Sequence, residues 1–212
     1  MDLEFNDVES SRLYEITVLY QKYKYLALYA EELRSESFIP PINEIKDAYD
    51  HFMRIFAVKC GLKHENSEYI DSNLDATFRH IYRAVYDLLD YIRIYQKDII
   101  SNKLSDFSIT TIHDVFPEYY QQIKPEIEKS LNNIPLYKAS KDIGSPDIQA
   151  IDAYINLISE IKDYISVIDS KIPSMIEYEQ KQNIEKRNNH IGQIIITLSV
   201  GLLCAAITYY LL

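Results

Sequence analysis

The final segment of the chain, residues 191–212, constrains the protein more than any other part. It contains no Asp, Glu, Lys or Arg, so all 22 basic and all 32 acidic side chains lie in residues 1–190. A helix over this segment would be about 33 Å long, close to the thickness of the hydrocarbon layer of a bilayer. A terminal helix that is apolar on every side is more typical of a membrane span than of a buried core helix. We therefore predict a single transmembrane tail anchor over residues 191–212.

Basic residues precede this segment and indicate its orientation. Lys181, Lys186, Arg187 and His190 lie before it, and no charged residue follows it. Because cytoplasmic flanks are enriched in Lys and Arg, the amino-terminal part is expected in the cytoplasm. Residues 1–7 are acidic and lack an apolar run, so they do not form a secretory signal. The predicted location is a single-pass membrane protein with a cytoplasmic amino-terminal domain.

Small and polar residues recur within the apolar tail, and they are the candidate residues for oligomerisation in the membrane. They are Gln193, Thr197, Gly201, Ala205 and Thr208. Small residues every fourth position allow another helix to approach closely. Such residues are also common in membrane helices for other reasons, and the two interpretations have equal weight. The expected partners are the lipid bilayer and, through the tail, further copies of the chain.

Apolar residues at three- and four-residue spacing predict an all-α fold. The pattern indicates a long amphipathic helix over residues 8–36 and a second helix that begins behind Pro40-Pro41 and ends at Gly61. A third and longest helix covers about 68–104. The prolines of residues 105–145 favour short helices and turns there. We expect a helical bundle domain over residues 1–172.

Ser145-Pro146-Asp147 resembles a helix start, with Ser145 as the N-cap and proline at the first helical position. The helix that follows carries a seam of isoleucines, which is expected to end at Pro173. Residues 173–190 have few large apolar side chains, so they are predicted to form a solvated stalk helix. The predicted domains are the bundle, this stalk, and the tail anchor.

Several functional classes are excluded by composition. Only four glycines are present, and neither the dinucleotide-binding nor the P-loop motif occurs. Two cysteines, in different parts of the chain, cannot build a disulfide scaffold, and no Glu-x-x-His or Cys-x-x-Cys pattern suggests a metal site. A net charge of -10 argues against bulk nucleic-acid binding. No cofactor is expected.

Charged and imidazole side chains at helical spacing on the second and third helices form the candidate functional cluster. They are Asp47, Asp50, His51, Arg54, Arg79, His80, Arg83 and Asp87. Spacing pairs Asp47 with His51, Asp50 with Arg54, and Arg83 with Asp87. Two interpretations stay open. We favour a lattice of ion pairs that fixes the helix register; the alternative is a site in which arginine binds phosphate and histidine transfers a proton.

The segments 47–54 (DAYDHFMR) and 78–84 (FRHIYRA) resemble the polar helices of HEPN-like bundles from prokaryotic antiviral and toxin systems. The resemblance follows helix order over residues 8–172. Active members of that class share an Arg-x4-6-His ribonuclease motif. No arginine here has a histidine at that spacing, and residues 187–190 (RNNH) come nearest with two intervening residues. The departure argues against nuclease activity.

A membrane span on such a bundle is similar to the accessory membrane proteins of RNA-targeting CRISPR systems, which assemble into pores. The resemblance implies a non-enzymatic, oligomerising antiviral-defence effector that perturbs or forms a pore in the inner membrane, with a protein or nucleotide-type trigger. Two alternatives remain. One is a membrane-tethered HEPN-like ribonuclease or nucleotide-ligand-binding protein that uses His51, Arg79, His80 and Arg83. The other is a tail-anchored adaptor that localises a partner.

Overall fold

The computed structural model of the chain describes residues 4–34, 38–139 and 146–211. Every regular element in these ranges is helical, which confirms the prediction of an all-α chain. In chain order, the helices are α1 (Asp7–Arg34), α2 (Ile39–Lys59), α3 (Ser67–Ser105), α4 (Ile109–Val115), α5 (Lys124–Ala139) and α6 (Ile148–Leu211). A π-helical turn, Tyr119–Ile123, leads directly into α5.

The chain divides into two compact units, which are described separately. Unit 1 consists of Met1–Ser101 and Glu126–Ile165, and unit 2 consists of Asn102–Pro125 and Ser166–Leu212. Helices α3, α5 and α6 contribute residues to both units. The predicted domain boundaries after residues 172 and 190 both fall inside α6 and stay predictions.

Helix α3 supplies the largest share of the unit 1 core, and its extent confirms the predicted third helix. Its buried side chains recur every three or four residues and include Leu74, Phe78, Tyr82, Val85, Leu89 and Ile92. From α6, the predicted isoleucine seam is also buried, at Ile151, Ile158 and Ile161. Burial of this continuous apolar surface is the main source of stability in such a unit.

Proline and glycine mark both ends of α2. Residue spacing predicts a helix start behind Pro40-Pro41, but α2 begins at Ile39, so both prolines lie in its first turn. This position suits proline because the first backbone N–H groups of a helix have no partner within it. At the other end, Gly61 has a φ of 72° and its N–H donates to the Val58 carbonyl. The predicted left-handed cap at Gly61 is confirmed.

Helix α6 differs from the prediction at its start. Asp147 is the cap: its Oδ1 accepts hydrogen bonds from the backbone N–H groups of Gln149 and Ala150, at 2.9 and 3.1 Å. Pro146 therefore precedes the helix, and Ser145 lies outside the described residues. The helix also continues through Pro173. A proline removes one backbone hydrogen bond, and here the adjacent turns are held by Ile168 and Met175, both fully buried.

In unit 2, polar contacts fasten the short helix α4 to α6. Glu179 accepts hydrogen bonds from the Ser108 backbone N–H at 3.2 Å and from the Thr111 hydroxyl at 2.9 Å. The Tyr178 hydroxyl donates to Asp114 Oδ2 at 2.6 Å. That bond, with a smaller effect of His113, lowers the pKa of Asp114, and it raises the pKa of Tyr178. The prediction of short helices after residue 105 is confirmed by α4.

A buried ion pair joins the start of α1 to the end of α2 in unit 1. Glu9 is only 2% exposed, and its Oε2 lies 2.6 Å from Lys59 Nζ. The same oxygen accepts the Asn6 backbone N–H at 3.0 Å, while the Glu9 N–H donates to Asn6 Oδ1 at 2.9 Å. This reciprocal arrangement is a capping box, with asparagine in the place of serine or threonine. Glu9 therefore stabilises the helix start and the contact between the two helices.

We expect Glu9→Ala to lower the free energy of unfolding by about 3 kcal/mol, because it leaves a mostly buried lysine without its carboxylate. The matched control is Glu15→Ala, which removes a less buried ion pair with Arg12 on the same helix, with side chains 43% and 28% exposed. That change should cost about 1 kcal/mol or less. Chemical denaturation of the full chain in detergent, followed by circular dichroism, measures both values. Equal effects of the two substitutions would contradict the role given to Glu9.

Candidate functional site

The polar cluster between α2 and α3 centres on the carboxylate of Glu44. Its Oε2 lies 2.7 Å from His80 Nδ1 and 3.1 Å from Arg83 Nη1. The same Arg83 nitrogen is 3.2 Å from His80 Nδ1. The three side chains are 17–30% exposed, so they are partly withdrawn from water. One carboxylate of α2 therefore holds an imidazole and a guanidinium of α3 in fixed positions.

A second pair extends the cluster along the two helices. His51 Nδ1 lies 2.9 Å from Asn73 Oδ1, and the Asn73 amide nitrogen donates to the Tyr69 carbonyl at 2.8 Å. Because the Asn73 oxygen can only accept, we infer that His51 carries its proton on Nδ1. The rings of His51 and His80 are stacked, with centroids 5.4 Å apart and planes inclined by 24°. The cluster is thus continuous from Asn73 to Arg83.

Three of the predicted residues, His51, His80 and Arg83, are brought together here. Two members, Glu44 and Asn73, were missed by the sequence analysis. Glu44 lies seven residues before His51 on α2, and Asn73 lies seven residues before His80 on α3. Residues seven apart share a helix face. A search for polar residues at that spacing would have found both.

Four of the other predicted members, Asp47, Asp50, Arg54 and Arg79, do not join these contacts. Asp50 pairs with Arg54, as the spacing predicted, but both side chains are about half exposed or more. Asp47 is exposed and makes no hydrogen bond or ion pair with the residues the structure describes, so His51 is paired with Asn73 instead of with Asp47. Arg79 and Asp87 are half-buried on α3.

The cluster satisfies its own polar groups. Glu44 Oε2 is the shared partner of His80 and Arg83, and the facing nitrogens of His51 and His80 each have an oxygen partner. Within the described part of the chain, no three His, Cys, Asp or Glu side chains lie close enough to hold a metal ion. Such cross-helix contacts fix the register of α2 against α3, because a shift of either helix would separate every pair.

A second polar network lies deeper in unit 1, between α3 and α6. The Gln96 amide nitrogen donates to the Tyr29 hydroxyl at 2.9 Å and to the Ile158 carbonyl at 2.8 Å. The Tyr154 hydroxyl donates to Asp90 Oδ1 at 3.0 Å. Burial first, and then the charge of Asp90, raise the pKa of Tyr154. Tyr154 is therefore a neutral hydrogen-bond donor at physiological pH.

The other candidate site is the apolar end of α6. Among the described residues, α6 is the helix that is long and apolar enough to cross a membrane, judged by length and composition. Gln193, Thr197, Gly201 and Ala205 are all exposed, and the side chain of Thr208 lies outside the described part. A Cβ added at Gly201 would meet nothing within 4 Å. The surface is open to a neighbouring helix.

Comparison with protein-family models, with curated proteins and with solved structures gives no match to this chain. Its function is therefore inferred from residue chemistry and geometry.

We expect Glu44→Ala to lower the free energy of unfolding by about 2 kcal/mol, because His80 and Arg83 lose a shared, partly buried acceptor. Asp47→Ala, three residues later on the same helix, removes an exposed carboxylate and should change the value by less than about 0.5 kcal/mol. Chemical denaturation of the two full-length variants measures the difference. A loss of stability for Asp47→Ala as large as that for Glu44→Ala would contradict this account of the cluster.

Proposed function

We propose that this chain is a non-enzymatic membrane protein whose helical bundle lies in the cytoplasm and whose carboxy-terminal helix spans the bilayer and oligomerises there. In this proposal the assembled helices perturb the membrane or form a pore in it. The observation that carries the proposal is the exposure of the apolar end of α6. Leu202 is 73% exposed, and Ile196 and Leu203 are each 64% exposed, with no covering element in the described chain.

The polar side chains of this segment are compatible with lipid. The Thr197 hydroxyl donates to the Gln193 carbonyl at 2.8 Å, and the Ser199 hydroxyl donates to the Ile195 carbonyl at 2.8 Å. Hydroxyls bonded to their own helix place no unsatisfied donor in the hydrocarbon layer. The open surface at Gly201 supports close approach of a second helix, which is the expected mode of oligomerisation.

The geometry of the cluster supports the non-enzymatic part of the proposal. His80 and Arg83 are engaged with Glu44, and His51 is engaged with Asn73. A general base or phosphate-binding arginine must reach a substrate, whereas these groups are held by each other. A lattice of ion pairs and hydrogen bonds that fixes two helices accounts for all of these contacts.

The role as an antiviral-defence effector rests on the resemblance of residues 47–54 and 78–84 to HEPN-like bundles. A membrane-perturbing effector needs a bundle that receives a trigger and a membrane segment that responds to it. This chain has both parts in the proposed form: a charged helical part and an apolar helix that continues from it.

Membrane insertion is tested with Leu202→Arg in the full-length chain. Arginine near the centre of a span costs about 3 kcal/mol or more, so we expect the variant to shift from the membrane to the soluble or aggregated fraction. The control is Leu62→Arg, because Leu62 is 84% exposed in the loop after α2. Carbonate-resistant sedimentation of membranes measures the distribution. Retention of Leu202→Arg at the level of the unaltered chain would contradict a membrane span at this position.

Membrane perturbation is tested with purified full-length protein in lipid vesicles filled with a self-quenching dye. We expect dye release from the unaltered chain and a clear reduction with Gly201→Leu, because the larger side chain keeps neighbouring helices apart. Gly192→Leu is the control for added apolar bulk, since Gly192 lies off the stripe and also faces open space. An inserted chain that releases no dye would favour an adaptor over a pore.

A further inference from the structure

Helix α1 carries a second apolar seam on the side opposite its buried face. The predicted amphipathic helix has its buried positions at Ile16, Leu19, Leu26 and Ala30, as the period required. The exposed side is not polar, however. Tyr14, Val18, Gln21, Tyr25 and Leu28 follow one another at alternating spacings of four and three residues. This is the spacing of a coiled-coil seam.

The seam is uncovered in the described chain. Tyr14 is 72% exposed, Leu28 is 55% exposed and Tyr25 is 47% exposed, while Val18 is half-buried. A helix that is apolar on both sides is normally covered on both sides. The outer side of α1 therefore has the composition of an interface.

The apolar surface continues from α1 onto α2. A groove of about 290 Å³ separates the two helices within unit 1, with Ala48, Thr77 and Ile81 among its lining residues. Tyr20 and Tyr49 also line it and are 41% and 62% exposed. Further exposed apolar side chains on α2 are Ile42 and Met53. We call the seam and these α2 residues, together with the groove, the α1–α2 face.

The α1 side of the α1–α2 face carries little charge in a strongly acidic chain, whereas the α2 side includes the exposed Lys46 and Asp50. Between Tyr14 and Leu28, the charged residues are Glu15, Lys22 and Lys24. Glu15 is paired with Arg12, and Lys22 is paired with Asp152. Lys24 is exposed and has no ion-pair partner among the described residues. Across the α1 seam, two copies of a chain with a net charge of -10 therefore bring little local charge together.

The area of the face is close to what a stable interface needs. The exposed parts of Tyr14, Tyr20, Tyr25, Leu28, Ile42, Tyr49 and Met53 amount to about 700 Å² if each full side chain offers about 200 Å². A stable interface needs about 800 Å² from each partner. The exposed side chain of Gln21, in the middle of the seam, adds to this area.

We propose that the α1–α2 face is the surface through which the helical parts of two copies of this chain associate. The inference rests on the proposed membrane anchoring. Anchored copies share one orientation and one plane, so their effective concentration is high and an interface near the lower size limit suffices. When the same patch on two copies forms the contact, the interface has the two-fold symmetry of most dimers.

Cross-linking in vesicles of the full-length chain tests the proposal. In a background with Cys60→Ser and Cys204→Ser, we expect Gln21→Cys to be joined between copies by a short bifunctional maleimide. The control Glu68→Cys, exposed at the start of α3, should give little product. Tyr14→Glu combined with Leu28→Glu should lower the Gln21→Cys product by about tenfold or more, since loss of one central interface side chain alone costs about that factor.

A charge-matched control separates the face from a general effect of acidity. Leu62→Glu combined with Ile109→Glu adds the same charge at positions that are 84% and 75% exposed and lie outside the face, and it should leave the product unchanged. Vesicle-bound protein that shows no Gln21→Cys product, or a product that Tyr14→Glu with Leu28→Glu does not reduce, overturns the inference and leaves membrane anchoring intact. Failure of the chain to remain with the vesicles instead overturns the proposed function.

Discussion

Apolar surface that the chain itself does not cover is the constraint on which the rest of this structure depends. The exposed isoleucines, leucines and valine between residues 191 and 207 would stabilise the protein by on the order of 10 kcal/mol if they left water. That is comparable to the whole stability of an ordinary domain. No element in the described residues supplies the cover, and the backbone of a continuous helix satisfies its own hydrogen bonds. A bilayer would cover these side chains, and it accepts a helix because the backbone needs no hydrogen bonds from outside. The proposed function therefore starts from this segment.

The same reasoning applies, on a smaller scale, to the outer side of α1. There the exposed side chains are tyrosines, one leucine and one glutamine, a mixture that tolerates water and also packs well. A bilayer span must be covered at all times, whereas a surface of this kind can be covered by a partner that binds reversibly.

Within unit 1, helix α3 makes two kinds of contact. It buries apolar side chains along its length, and it contacts α2 through the polar cluster of Glu44, His51, Asn73, His80 and Arg83. The apolar contacts provide most of the stability, and the polar cluster fixes how the helices are aligned.

Much of the fold was predictable from residue spacing, and the exceptions have local causes. The extents of α1 and α3, the left-handed Gly61 and the buried isoleucines of α6 all follow from the period of apolar residues or from the freedom of glycine. The prolines of α2 were misjudged. Pro40 and Pro41 were placed before a helix that includes them, and α6 runs on through Pro173, where only the isoleucine seam was predicted to end. The steric restriction that proline imposes on the backbone is local. Whether a helix tolerates a proline also depends on how the flanking turns pack, and this packing cannot be predicted from the order of the residues. The candidate site shows the same limit. Spacing along α2 predicted that His51 pairs with Asp47, whereas His51 contacts Asn73 on the neighbouring helix α3.

The sequence by itself determined that the chain is helical and that its charge and its longest apolar run are separated at residue 190, because both properties are carried by residue type and order. It also identified His51, His80 and Arg83 as members of a polar group. Only the tertiary structure decided which partners they have, since Glu44 and Asn73 come from the facing helix in each case. Likewise, the apolar residues of α1 could be counted in advance, but their division into a buried face and an uncovered seam depends on where α2, α3 and α6 pack. Local preference specifies a helix, and the neighbours it packs against determine which of its sides remains available.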